Sequence, residues 1–344
     1  MRAVALMEPG RLELQEVDDP PCPPGGVVLK VAAALICSTD LHMWRRGHPA
    51  LRYPRIMGHE IAGVIAHVSP EASHLRVGDR VQVYPGIPCG VCSFCRRGRE
   101  NLCVSLEIMG FTSDGGFAGY VPVSERTVAI GGLSPIPSAL SLANAALAEP
   151  MACCLNGLER AGFRDGEAVL VLGGGPIGCV FAMISRHFGA GRVMVVEKSR
   201  TRASLAASMS GEEALDPSTG DVVQAVRDLT GGRGADLVVT CFREAALRYP
   251  LLELVAPGGK LLCFSGLPGK DRVIPLDLNR IHYGELTVAG AYGCTSAQCR
   301  RAIELLSGDL QAAWLISHRV GLDDFEAGLE LVASEQAMKV CVEP

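Results

Sequence analysis

Val169-Leu170-Val171-Leu172-Gly173-Gly174-Gly175-Pro176-Ile177-Gly178 is the stretch on which the fold turns. Four apolar residues read as a buried strand, and Gly173, Gly175 and Gly178 fit the pattern G-x-G-x-x-G. The first glycine permits a tight turn, the second lets backbone approach a pyrophosphate, and the third lets helix and strand pack closely. Pro176 and Ile177 open the helix that follows, whose free N–H groups face the phosphates. Glu197 ends the next apolar run, about 20 residues on, where an acid accepts hydrogen bonds from the adenosine ribose. An acid there repels a 2′-phosphate, which favours NAD over NADP. Lys198, Arg200 and Arg202 follow directly. They soften that preference or face solvent, and Arg202 is carried forward as a cofactor-binding candidate. The bland alternative is a glycine-rich turn beside a solvated glutamate.

Outward from this loop, residues 168–265 alternate short apolar runs with helical ones: 168–172, 192–196, 237–240 and 260–265 as strands, and 177–188, 201–208, 222–229 and 251–255 as helices. Strands that are apolar throughout are covered on both faces, the mark of a doubly wound parallel sheet in an α/β protein. Before residue 140 the texture is different. Runs at 27–31, 60–68 and 80–83 are strand-like, Gly78-Asp79 makes a turn, and proline and glycine punctuate densely. Ser141 is expected to cap an Ala/Leu-rich helix, and Pro150 to start a second one. After residue 287 come a short strand and two helices, near 297–306 and 323–333.

The chain has 344 residues, a net charge of −5 and 14 cysteines. The length suggests two domains, and the charge argues against nucleic acid or an anionic membrane as the main partner. No apolar run reaches the roughly 18 residues of a membrane span. Met1 to Glu8 meets an acid and a Pro-Gly turn too early for a signal peptide, so a cytoplasmic protein is expected. In a reducing compartment cysteines serve as metal ligands or packing rather than disulfides. Cys89, Cys92, Cys95 and Cys103 stand at gaps that let four sulfurs converge on one tetrahedral zinc. Such a closed site leaves no position for substrate and is structural. Arg96, Arg97 and Arg99 offset its charge or are simply solvated. The other cysteines, Cys37 excepted, are read as packing.

A second constellation is looser. Cys37-Ser38-Thr39-Asp40-Leu41-His42 offers a thiol, a hydroxyl and an imidazole; Gly58-His59-Glu60 an imidazole and a carboxylate; and Glu149-Pro150 another carboxylate. A catalytic zinc takes about three protein ligands and keeps an open position. Cys37, His59 and a carboxylate, Glu60 or Glu149, would supply it. Taken singly, each has an ordinary structural reading.

With these motifs in order, the chain resembles the medium-chain dehydrogenase/reductase superfamily, in its zinc-containing, sorbitol (polyol) dehydrogenase-like branch. Val77-Gly78-Asp79-Arg80-Val81, Asn101-Leu102-Cys103, Gly115-Gly116-Phe117-Ala118 and Ser317-His318-Arg319 carry the likeness further. The resemblance implies a GroES-like catalytic domain, 1–150 and 287–344, with its zinc lobe at about 85–105, and a Rossmann NAD-binding domain, 151–286. It implies two zinc ions per subunit and a homodimer or homotetramer. Cys37 and His59 ligate the catalytic ion, and Glu60 and Glu149 do so directly or through water. Thr39 touches the substrate oxygen, and His42 relays its proton to solvent. The implied reaction is hydride transfer between a secondary alcohol (a polyol, cyclitol or sugar derivative) and NAD, giving a ketone. Simple alcohols or amino alcohols are the alternative substrates. A zinc-free reductase of the same superfamily and a non-catalytic member are the rival readings. Three departures stand out: Ser38 replaces a usual glycine, Gly119 replaces an acid, and residues 290–294 lack the arginine that sorbitol dehydrogenases carry for polyol hydroxyls.

Overall fold

The computed structural model describes residues 1–211, 214–267 and 273–344. The chain forms two compact units: Met1–Ala152 with Cys294–Pro344, and Cys153–Gly293.

In the second unit, five parallel strands run in the spatial order Arg192–Val196, Ala168–Leu172, Ala235–Thr240, Val255–Cys263, Thr287–Gly290. Every residue of Ala168–Leu172 is buried, as the unbroken apolar run requires. Its sequential successor lies on one side and the third strand on the other, so the order reverses there. Ligands of such sheets bind at that reversal, beyond the strands' carboxyl ends, which here is the glycine loop. Thr287–Gly290 pairs with Lys260–Cys263 and completes this sheet, whereas the sequence reading assigned everything from 287 onward to the other domain. The strand is short and mostly exposed, so it lacks the continuous apolar run that marks its neighbours.

The first unit is built on antiparallel strands. Val27–Leu35 is central, with Glu60–Val68 and Tyr120–Val123 paired to it. Lys339–Val342 also pairs with it, from nearly the other end of the chain. Ile316–Val320 adds in parallel to that last strand, and Arg80–Val83 and Leu133–Pro135 extend the opposite side. The core is continuous beneath this sheet, with Phe117 and Phe325 in ring contact at 4.5 Å. Ser141 caps Leu142–Ala146 as expected, its hydroxyl accepting the Asn144 N–H. Pro150 falls third in the helix Ala148–Ala161, still within its first turn, where a missing N–H costs nothing. A small pairing of Gly86–Ile87 with Glu107–Ile108 closes the loop that holds the four clustered cysteines. Among the described residues, no helix is long and apolar enough to cross a membrane.

Candidate functional site

The sulfurs of Cys89, Cys92, Cys95 and Cys103 all lie within 4.8 Å of one another. A tetrahedral zinc bound at about 2.3 Å sets its sulfurs roughly 3.8 Å apart, and Cys92 and Cys95 are 3.5 Å apart. The turn geometry explains the convergence. The Arg96 N–H returns to the Cys92 carbonyl, and Gly98 adopts a left-handed conformation that ends the short helix Cys95–Arg97. Backbone N–H groups of Cys89 and Ser105 point at the Cys103 sulfur. N–H groups of Cys95 and Val104 draw the Cys92 thiol down to about 6, while burial and the neighbouring Cys92 push Cys95 up to about 12. Without a cation the cluster cannot ionise fully; a divalent ion removes that conflict. The donor set therefore fits zinc. Arg96 and Arg97 are solvent-exposed, with Arg97 stacked over Phe94.

Donor atoms of Cys37, His59 and Glu60 also lie within 4.8 Å of one another. Cys37 ends the chain segment leaving the central strand and caps the helix Ser38–Arg46. Its own N–H donates to the Asp40 carboxylate at 2.8 Å. The other Asp40 oxygen is 3.6 Å from His59 Nδ1. Asp40 is fully buried and His59 nearly so, and neither of those two atoms has a hydrogen-bond partner among the described residues. Burial works against a charge on His59, but Asp40 and Cys37 outweigh it and hold the imidazole well above its ordinary range. Cys37 and Glu60, whose donor atoms lie within 4.8 Å of one another and of a His59 ring nitrogen, leave a position that a metal ion would satisfy, with His59 then neutral. The site thus fits a cation with thiolate, imidazole and carboxylate ligands.

Glu60 opens the strand Glu60–Val68, opposite Leu35. On the other side of Leu35 stands Cys341, two residues after Lys339. Flanking the same strand end, Lys339 reaches across: Nζ donates to both Glu60 oxygens, at 2.7 Å to Oε2, and to the Ile36 carbonyl. Burial opposes the Lys339 charge, but Glu60 and Cys37 overcome it and raise the ammonium above its ordinary range. Lys339→Met would strand a buried carboxylate and is expected to destabilise the fold by about 3–5 kcal/mol. Glu60→Gln in the same background recovers part of that. Denaturant unfolding checks both, and a loss under about 1 kcal/mol for Lys339→Met contradicts the pairing's importance.

Glu149 is buried but stands outside the Cys37–His59–Glu60 cluster. Its carboxylate groups with Cys294, and its charge still acts on Lys339. Thr39 Oγ1 lies 3.6 Å from the Cys37 sulfur, and His42 follows three residues on along the same helix, both half-buried. Asp40 and Lys339 went unassigned in the sequence reading. Asp40 carried a local signal, an acid at the third helical position after a capping residue. Lys339 carried none, since its partner is 279 residues away.

In the other unit, Gly173 has φ +108°, closed to side chains, and a Cβ on Gly178 would strike the Gly173 carbonyl at 1.8 Å. Gly175 caps the helix Pro176–His187; a Cβ there would meet nothing nearer than the Arg202 guanidinium at 3.9 Å. That leaves open space beside free helix N–H groups, as a pyrophosphate requires. Glu197 is buried, and its two oxygens accept the Gly174 and Ser199 N–H groups, each at 2.8 Å. It is therefore a brace of the loop as well as a candidate ribose ligand.

Comparison with known proteins agrees with this geometry. The alcohol dehydrogenase GroES-like domain profile matches residues 23–132, and the zinc-binding dehydrogenase profile matches 176–308. L-threonine 3-dehydrogenase of Pyrococcus horikoshii is 33% identical, covering 99% of this chain and 97% of that protein. D-altritol 5-dehydrogenase of Agrobacterium fabrum is 32% identical over 94% of each. A solved zinc-binding dehydrogenase from Sinorhizobium meliloti, bound to NADP, superimposes with a TM-score of 0.92 at 32% identity, covering 100% of this chain and 99% of that one. With a GroES-like amino-terminal domain and a five-stranded Rossmann-type sheet, the chain belongs to the zinc-dependent medium-chain dehydrogenases, NAD(P)-linked enzymes that act on CH–OH groups.

Proposed function

We propose that this enzyme interconverts a secondary alcohol and a ketone on a small molecule with polar groups beside the carbinol, using NAD. The observation that carries the reading is the Cys37–His59–Glu60 cluster with its buried Lys339 brace. A carboxylate in the ligand set makes the site adaptable to vicinal oxygens. The relatives named for threonine and altritol share this denominator, since both compounds bear a secondary hydroxyl flanked by polar substituents. The absence of an arginine from residues 290–294 weighs against sorbitol itself.

Two zinc ions per chain are proposed, one on Cys89, Cys92, Cys95 and Cys103, and one on Cys37, His59 and Glu60, with Glu149 as an exchanging or water-mediated ligand. A zinc held at the second of these sites would supply Lewis acidity toward the alcohol oxygen, and a nicotinamide cofactor held by the glycine loop would supply the hydride acceptor. The chain's own residues do the rest. Asp40, 3.6 Å from His59 Nδ1, would orient the ring once that nitrogen carries the proton and the other binds the metal. Lys339 fixes Glu60 and tempers its charge. The Thr39 hydroxyl accepts the proton displaced from the alcohol and hands it toward His42, which passes it to solvent.

Gly173 to Gly178 would hold the pyrophosphate, Arg202 flanks Gly175, and Glu197 would accept the ribose hydroxyls on its remaining lone pairs. Glu197→Gln should raise the NAD⁺ dissociation constant roughly tenfold to a hundredfold, the worth of one charge-assisted hydrogen bond. Isothermal titration checks this, and unchanged affinity contradicts it. NAD is proposed over NADP because a carboxylate at Glu197, the acid just after the strand Arg192–Val196, would repel a 2′-phosphate, although the Sinorhizobium relative is bound to NADP. A cytoplasmic homodimer or homotetramer completes the reading. The edge strand Thr287–Gly290, with Val288 40% exposed, and Tyr283 at the end of the preceding helix, 81% exposed, support self-association.

The test is a panel with NAD⁺ followed at nicotinamide absorbance: ethanol, a long-chain primary alcohol, L-threonine, sorbitol, a cyclitol and a sugar phosphate alcohol. The best kcat/KM should fall on a secondary alcohol with a polar neighbour. The highest value on either simple primary alcohol contradicts the reading.

A further inference from the structure

Beside the Cys37–His59–Glu60 cluster stands a feature that the proposed chemistry does not use. The ring of Phe111 packs edge-on against the imidazole of His59, with centroids 5.4 Å apart at 62°. On Phe111 in turn sits the ring of His48, at 5.6 Å and 89°. Burial falls along this row: His59 is 7% exposed, Phe111 is half-buried and His48 is exposed. The three rings therefore form a wall that starts at the buried cluster and ends in solvent. The two imidazoles are no more than about 11 Å apart.

His48 is held in place as well as exposed. Its Nδ1 accepts the Ala50 N–H at 3.2 Å. A neutral imidazole that accepts at Nδ1 carries its proton on Nε2, so the free nitrogen is a donor. Phe111 supplies apolar surface between that donor and the cluster. A molecule whose carbinol lies at Cys37, His59 and Glu60 would run its carbon chain along Phe111 and meet an N–H beyond it.

Resting on the dehydrogenase reading above, we infer that Phe111 and His48 are specificity-determining residues. Phe111 seats the carbon skeleton, and His48 Nε2–H donates to a hydroxyl or carboxylate oxygen remote from the reacting carbinol. The substrate class is thereby narrowed to alcohols that carry a second oxygen group beyond the carbinol, which alkanols lack.

The experiment compares the zinc-loaded parent with His48→Ala and His48→Gln. Glutamine keeps a donor close to the Nε2 position. Zinc content and unfolding temperature establish that each variant is folded and loaded. The probes are L-threonine and xylitol against butan-2-ol. In His48→Ala, the ratio of kcat/KM for the better oxygenated probe to that for butan-2-ol should fall about tenfold, chiefly through KM. His48→Gln should restore most of it. Calorimetric titration of the same probe into the zinc-loaded protein should show a matching rise in Kd. A parent that oxidises these alcohols while the ratio stays put in His48→Ala overturns this inference alone. A zinc-loaded parent that oxidises none of the three overturns the dehydrogenase reading and this inference with it.

Discussion

Cys37→Ser is expected to lower alcohol oxidation by at least a thousandfold while leaving the fold intact. A serine hydroxyl does not supply the thiolate charge, so the ligand set drops to His59 and a carboxylate already paired with Lys339. Lewis-acid catalysis is worth several kcal/mol of barrier, and about 4 kcal/mol corresponds to a thousandfold. The fold should survive because Cys37 is only half-buried at a helix cap, and its N–H to Asp40 bond is a main-chain contact that serine also makes. Steady-state kinetics, circular dichroism and zinc analysis together check this. Retention of more than about a tenth of parent activity would remove Cys37 from the catalytic ligand set.

Cys92→Ser should act on stability instead. The four-cysteine loop has little apolar core of its own; Val91 and Val104 in it are largely exposed, and a short pairing of Gly86–Ile87 with Glu107–Ile108 closes it. A structural zinc contributes folding energy directly. One zinc per chain should be lost and the unfolding temperature should fall by about 10 °C, the shift that roughly 3–5 kcal/mol produces in a domain of this size. The lobe also reaches into the rest of its unit. Buried Glu100, between Cys95 and Cys103, accepts both the N–H and the hydroxyl of Ser296 at the start of the helix Ser296–Ser307. Loosening should therefore spread to that helix, where hydrogen exchange will show it. An unchanged unfolding temperature with a full complement of zinc contradicts the structural role.

The parts legible in the sequence share one property: their chemistry is local. Val169 to Gly178 announces its strand, turn and helix because apolar period and glycine requirement lie within ten residues. The four cysteines announce a cluster because their gaps are short. Cys37 and His59 are candidates from their local motifs and the family likeness, and the pairing of Val27–Leu35 with Glu60–Val68 brings them together. What was not legible is long-range or statistically ordinary. Lys339 stands in a plain C-terminal strand, and nothing near it points to Glu60. Thr287–Gly290 is an edge strand whose exposed residues resemble a loop. Phe111 and His48 gain meaning only once a turn places the Phe111 ring against His59 and a helix end places the His48 ring against Phe111. Glu197 reads from the sequence as a ribose ligand; its bracing of Gly174 and Ser199 depends on how the loop folds back, which no local pattern announces.

Two metal centres in one dehydrogenase chain are tested most directly by elemental analysis of protein purified without chelator. Two zinc ions per chain are predicted, one released with loss of activity alone and the other only with unfolding. One zinc or none per chain in active, folded protein contradicts that prediction.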